Sequence, residues 1–268
     1  MHTVFIRIGS LLIPSYGVLA AAGVLVALAL VLNTARTARL DPNRMWTLSI
    51  LSLFVALAGS RLLLIALNWT LIRTHPRWLL DVAIIHSPLL ASIGALLFSA
   101  TALAYARTRQ LPLRSVADAL AAPIATGLAF EQLGALLSGS GFGIESSLPW
   151  AVTYTDPLAA RWSGTPLFVP LHPVQAYAGL AFAVIGAVLF LGMKHRRQQG
   201  DLAGLALLLL GVAVFFTEFL RDPEGRGTLL HGALLLPQLG AVALVLLGAL
   251  LLREQPSAQL AETEATHA

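Results

Sequence analysis

Charge is what this chain lacks. Of its 268 residues only 11% are Asp, Glu, Lys or Arg, while 57% are hydrophobic. A soluble domain hydrates its surface with about 25% charged residues, so a water-soluble globular domain is excluded. The mean hydropathy of +0.80 points the same way. Cysteine is missing altogether, which excludes disulfide frameworks, thiolate zinc sites, iron–sulfur clusters and a cysteine nucleophile on this chain. No internal repeat is visible, so the inverted-repeat signature of many transporters is absent. The first seventeen residues show no sustained apolar core followed by a small-residue cleavage site, so the first span is expected to be kept rather than removed as a signal peptide.

What is present is a series of apolar blocks, each near the length of about 20 residues that crosses a bilayer. They place spans near 14–33, 46–67, 86–106, 115–137, 174–193, 201–219 and 229–252. The expected fold class is therefore an all-α polytopic membrane protein of about seven transmembrane helices, built as a single integral membrane domain over 1–253. The alternate loops divide the basic residues. Ten fall on one side (Arg36, Arg39, Arg44, Arg107, Arg109, Arg114, Lys194, Arg196, Arg197 and Arg253) and six on the other, with Arg61 inside a span. Since Lys and Arg concentrate on the cytoplasmic side, the N-terminus is expected outside and the C-terminus in the cytoplasm. The net charge of +4 thus reports orientation. Its carriers are scattered over short loops, which is not the single basic face that nucleic acid requires.

The longest external connection, 138–173, is too polar to span and reads as a small outward, periplasmic cap. Its Trp150, Tyr154, Trp162 and Phe168 suit headgroup depth. The tail 254–268 reads as disordered and cytoplasmic.

Ionisable groups at membrane depth cost several kcal/mol unless they face a partner or a wet cavity, which makes them candidates for function. Arg61 lies well inside the second span, where a carboxylate such as Glu131 or Glu218 would be its partner. A structural ion pair and a functional one require the same burial, and both readings stand at this point. His86 lies at the external end of its span and reads as interfacial. Glu218 and Arg221 are three residues apart, on one helix face, and an arginine at an external helix end can hold a lipid phosphate through its planar fork of donors. Glu131 and Gln132 sit in a segment with Gly127, Gly134, Gly139, Gly141 and Gly143, where backbones can approach closely or a helix can break.

Taken in order, these elements resemble the prolipoprotein diacylglyceryl transferase family of bacterial inner membranes. The matching elements are Ser15-Tyr16-Gly17, the Gly-Ser-Arg-Leu at 59–62, Asp118 with Ala122 and Pro123, the glycine-spaced segment 127–143, Pro-Trp-Ala-Val at 149–152, His-Pro-Val-Gln-Ala-Tyr at 172–177 and Glu-Phe-Leu-Arg-Asp-Pro at 218–223, then Pro237 and Gln238. Where the family signature has Gly-Arg this chain has Glu131-Gln132. The family's His-Gly-Gly aligns with Ser92-Ile93-Gly94, and two further family arginines align with Leu171 and Val214.

The resemblance implies transfer of diacylglycerol from phosphatidylglycerol to the lipobox cysteine of a secreted prolipoprotein in lipoprotein biosynthesis. It implies Glu218 and Glu131 as catalytic carboxylates, and Arg61, Arg221, Gln132, Tyr16, His172, Gln175 and Tyr177 as substrate-binding residues. Neither cofactor nor metal is implied, and the protein is expected to be a monomer in the bacterial plasma membrane. The alternative is a catalytically impaired paralogue that binds lipid or lipopeptide. All of these side chains are expected to converge on one cavity opening toward the outer half of the membrane.

Overall fold

The computed structural model describes residues 2–9, 11–74, 88–223, 228–229 and 234–253. His86 and the tail 254–268 lie outside the described residues. Among the described residues, seven helices are long and apolar enough to cross a membrane. They are α1 (Ser15–Thr37), α2 (Pro42–Leu67), α4 (Pro88–Thr108), α5 (Leu113–Ser138), α7 (Val174–Gly192), α8 (Asp201–Glu218) and α9 (Leu236–Arg253). Among the described residues there are also two short helices, α3 (Trp69–Thr74) and α6 (Pro157–Ser163). The shortest spanning helices have 18 residues, about 27 Å at 1.5 Å per residue, slightly under a hydrocarbon core of about 30 Å and within the range of about 17–25 residues for spanning helices. The fold is an all-α polytopic membrane protein.

Helix limits follow local chemistry. Helix α2 starts at Pro42 because Asp41 accepts a hydrogen bond from the Asn43 backbone N–H at 2.9 Å and proline fits the first helical position. Helix α5 ends at Gly139, in the left-handed conformation at φ +85°. The last span begins at Leu236, seven residues later than expected, because Thr228–Leu229 (β5) pairs antiparallel with Leu234–Leu235 (β6).

The chain opens with a hairpin, Val4–Ile8 (β1) paired with Leu11–Pro14 (β2). Its β-branched residues favour strand, and Gly9 takes the turn at φ +60°. The threonine Thr3 beside it is buried and donates to Asp156 in the connection between α5 and α7.

Helix α1 runs antiparallel along α5, and glycines set the distance. A Cβ at Gly134 would lie 3.1 Å from the Tyr16 carbonyl oxygen, and one at Gly23 would lie 2.6 Å from the Phe130 Cβ. Further along the same seam, Pro123 inside α5 cannot donate to the Ala119 carbonyl. The buried Thr34 of α1 donates to that oxygen instead, at 2.7 Å. A hydroxyl from a neighbouring helix thereby satisfies the acceptor that the proline frees, as the absence of water in the hydrocarbon requires. On the other face of α5, glycines of α7 allow the approach. A Cβ at Gly186 would lie 2.8 Å from the Thr126 Oγ1, and one at Gly179 would lie 3.3 Å from the Gln132 Cβ.

At the end away from the cap, the fully buried Asp118 of α5 joins α5 to α8. It accepts from the Gly200 and Ala203 backbone N–H groups at 2.8 and 2.9 Å, and from the Arg196 guanidinium at 2.9 Å. Arg196 also donates to the Ala38 carbonyl, just past α1. The carboxylate of one helix therefore caps the N-terminus of another.

The connection between α5 and α7, residues 139–173, contains Val152–Thr153 (β3), Pro170–Leu171 (β4) and α6. Residues 142–146 lie between β4 and the chain leaving α8. The Ile144 N–H donates to the Leu220 carbonyl at 3.0 Å, and the His172 N–H donates to the Ile144 carbonyl at 3.0 Å. A Cβ at Gly143 would meet the His172 carbonyl oxygen at 2.5 Å and the Val174 side chain at 2.6 Å. Only glycine fits there.

Candidate active site

The start of α1, the end of α5, the start of α7 and the end of α8 meet beneath this cap, and each brings polar side chains. The Tyr16 hydroxyl, in the first turn of α1, donates to Glu131 Oε1 at 3.0 Å. Glu131 Oε2 accepts from Gln132 Nε2. The other end of that amide, Oε1, accepts from Arg221 Nη2 at 3.4 Å. Arg221 Nε lies 3.2 Å from Glu218 Oε1, with only 11% and 6% of the two side chains exposed. Tyr16, Glu131, Gln132, Arg221 and Glu218 thus form one continuous polar chain across three helices.

Local structure explains the alignment. Gly134 lets Tyr16 approach α5, and Glu131 lies one turn before it. Arg221 is fixed from its backbone, since Gly143 bridges it and Asp222 donates to the Phe142 carbonyl at 3.1 Å. Arg61, near the end of α2, is within electrostatic reach of the Tyr16 phenol. Arg221 is joined to Glu131 through the Gln132 amide.

The His-Pro-Val-Gln-Ala-Tyr element lies at the α7 entrance. Gln175 is buried and donates to the Ser140 carbonyl at 2.9 Å, which ties α7 to the turn after α5. His172 stands edge-on to Tyr177, with ring centroids 6.4 Å apart, and its buried Nδ1 has no hydrogen-bond partner among the described residues. The Tyr177 hydroxyl accepts from the Trp150 indole N–H at 2.7 Å. His172 and Arg221 flank the 143–145 segment on opposite sides. In the cap itself, burial pushes the Tyr154 phenol up to about 12, and its hydroxyl donates to the Leu136 carbonyl at 2.8 Å.

An apolar groove between α8 and α9, lined by Val212, Phe215, Phe216, Val242, Val245 and Leu246, contains no polar side chain and offers no chemistry. No group of three or more His, Cys, Asp or Glu able to hold a metal occurs among the described residues.

The geometry offers two kinds of function at one place: carboxylates that can accept a proton, and guanidinium groups that can face an anion. Comparison with known proteins gives this arrangement a lineage. The family model for prolipoprotein diacylglyceryl transferase matches residues 3–253. The chain belongs to that family. Relatives called phosphatidylglycerol–prolipoprotein diacylglyceryl transferase include one from Polynucleobacter asymbioticus, 33% identical over 169 residues, 63% of this chain and 59% of the relative. One from Nitratidesulfovibrio vulgaris is 34% identical over 152 residues, 55% of this chain and 53% of the relative. The chain therefore spans little more than half the length of these two. A third, from Synechococcus elongatus, is 27% identical over 253 residues, 91% of this chain and 84% of the relative. With seven membrane-spanning helices and bacterial relatives, the protein is a multi-pass bacterial membrane protein.

Leu171, expected at a family arginine position, is 2% exposed and packs with Tyr154 and Ala159. Val214, expected at another, packs against the main core. At 131 and 132 the chain has a carboxylate and an amide that bridges it to Arg221. Sequence reasoning missed the Trp150–Tyr177 bond and the Gly143 bridge to Arg221, since neither follows from spacing.

Proposed function

We infer that the protein transfers the diacylglyceryl group of phosphatidylglycerol to the lipobox cysteine of a secreted prolipoprotein, acting as a monomer in the bacterial plasma membrane with its cap and N-terminus outside. The single observation that carries this reading is the continuous chain Tyr16–Glu131–Gln132–Arg221–Glu218 at the cap end of the bundle.

The reaction forms a bond from the cysteine sulfur to the terminal glyceryl carbon and breaks that carbon's bond to the phosphate oxygen. The electron pair leaves with glycerol phosphate, and the thiol proton goes to a base. Glu131 is the base in this assignment, because its two oxygens accept from neutral groups, Tyr16 and Gln132. Glu218 is instead held as the counter-ion of Arg221. Arg221, oriented by Glu218 and Gln132, meets the phosphate as its charge grows. Arg61 meets it from α2, and Tyr16 aligns Glu131. Gln175 fixes the α7 entrance, where His172 and Tyr177 border the path of the acceptor. A positioned base contributes about 10²–10⁴ in rate, and a donor aimed at developing charge about 10²–10³.

The test is purified protein in vesicles of phosphatidylglycerol with a lipobox peptide, read by mass spectrometry. The expected product is the peptide heavier by one diacylglyceryl group, with glycerol phosphate released. Peptide recovered unmodified by protein that still binds the lipid would refute the transferase reading.

A further inference from the structure

The connection between α5 and α7 leaves large apolar side chains uncovered. Phe168 is 73% exposed, Trp150 57% and Leu148 38%, while Tyr154 and Leu171 beside them are each 2% exposed. The uncovered rings are held in place. The Trp150 indole donates to Tyr177, and the Phe168 N–H donates to the Tyr154 carbonyl at 2.9 Å. Phe168 also takes φ +61°, a region that bulky side chains rarely occupy. A backbone in that region persists only where its surroundings hold it.

Their height is set by the membrane-spanning helices. Tyr177 lies in the first turn of α7. The Tyr154 hydroxyl reaches the Leu136 carbonyl in the last turn of α5, and the Thr165 hydroxyl reaches the Gly139 carbonyl at 3.0 Å. The cap therefore lies across the helix ends, where hydrocarbon gives way to headgroups. It is also poor in charge, with Glu145, Asp156 and Arg161 alone among residues 139–173. Asp156 is already engaged by Thr3 and the Leu158 N–H.

The occupant follows from α7. Below Tyr177, the residues Leu180, Val184, Val188 and Leu191 are 69%, 54%, 47% and 69% exposed. Counted from Tyr177, the steps of three, four, four and three residues form one continuous stripe along the helix. In a membrane-spanning helix such a stripe faces lipid. Tyr177 tops that stripe, and Trp150 is bonded to Tyr177. The geometry points to a lipid-docking surface: Leu148, Trp150 and Phe168 insert into the headgroup–acyl boundary of the leaflet on the cap side. The partner is the bilayer surface itself, since the surface continues a lipid-facing stripe and offers little charge to a peptide. Docking holds the cap at a fixed height over the polar chain beneath it. This inference does not depend on the transfer reaction.

Because the chain contains no cysteine, single spin labels can be placed without removing any residue first. Labels at Leu148→Cys and Phe168→Cys leave Trp150 and its bond intact. Arg161→Cys, an exposed charged position of the cap, is the aqueous reference, and Leu180→Cys is the lipid reference. The protein is reconstituted in vesicles of phosphatidylglycerol and phosphatidylethanolamine, and each label's accessibility to oxygen and to a water-soluble nickel chelate is measured. At 148 and 168 the oxygen-to-nickel ratio is expected to be several-fold above that at 161 and to approach that at 180. Ratios at 148 and 168 equal to that at 161 would overturn the proposal. So would labels that stay in water and lose mobility only when a lipobox peptide is added, because the surface would then belong to the peptide.

Discussion

The carboxylate of Asp118 gives the sharpest test of how the bundle holds its site. It is fully buried and accepts from Arg196 and Gly200 through one oxygen and from Ala203 through the other. Asp118→Asn keeps the shape but replaces one acceptor oxygen with an NH₂ group. Whichever way the amide turns, that group faces an N–H donor, and Arg196 loses its counter-charge. Breaking a buried ion pair from one side costs about 3–5 kcal/mol. The Arg196 side chain keeps 16% exposure, so water partly compensates and the lower end, about 3 kcal/mol, applies. Thermal unfolding in detergent should show the loss directly.

A functional consequence follows from the same contact. Asp118 lies 13 residues, about 20 Å, before Glu131 on α5, and it caps the α8 helix that ends at Glu218. Slack in that contact lets α5 slip against α8 and separates Gln132 from Arg221, so transfer should fall with stability. Replacing both partners, Asp118→Leu with Arg196→Met, should recover much of the stability because no charge is left buried alone. An Asp118→Asn protein within about 0.5 kcal/mol of wild type, the range of an ordinary surface change, would refute the reasoning.

Three other outcomes are expected. Thr34→Val leaves the Ala119 carbonyl freed by Pro123 without its donor; unfolding measurements should show a loss of about 0.6–1.7 kcal/mol, the range for hydrogen bonds between membrane helices. Gly143→Ala forces a methyl group into the His172 carbonyl, so transfer should drop sharply while the far end of the bundle keeps its hydrogen-exchange protection. The buried Tyr154 phenol ionises near 12 against an ordinary value of 10. Its contribution to stability is therefore full below pH 10 and lost as pH rises from 10 toward 12, and Tyr154→Phe should remove that part of the alkaline transition followed by phenolate absorbance.

Run length and polarity made much of this fold legible. About twenty apolar residues admit few structures in a bilayer, so the seven spans could be placed to within a few residues at most ends. The meeting of Tyr16, Glu131, Gln132, Glu218 and Arg221 was legible for a related reason: polar groups at that depth must face one another or water. Of their pairings, that of Glu218 with Arg221, three residues apart on one face, was legible too; those between helices were not. That Gln132 links Glu131 to Arg221 depends on how the ends of α5 and α8 meet, and no spacing within one helix encodes that. The contact of Asp118 with Arg196 joins residues 78 apart. Pro123 signalled that the Ala119 carbonyl needed a donor, but Thr34 is 85 residues away. The hairpin over 4–14 was missed because its apolar residues are too few to span and sit directly before a helix that does.

The central claim is that Glu131 takes the thiol proton at a site where Arg221 faces the phosphate. The most direct measurement compares Glu131→Gln with wild type in phosphatidylglycerol vesicles, following lipid binding and the mass of the lipobox peptide in the same sample. Glutamine keeps the size of the side chain and can still bond to Tyr16 and Gln132, so lipid binding should persist. The diacylglyceryl adduct should form about 10²–10⁴ times more slowly. An adduct formed by Glu131→Gln at the wild-type rate would contradict the account.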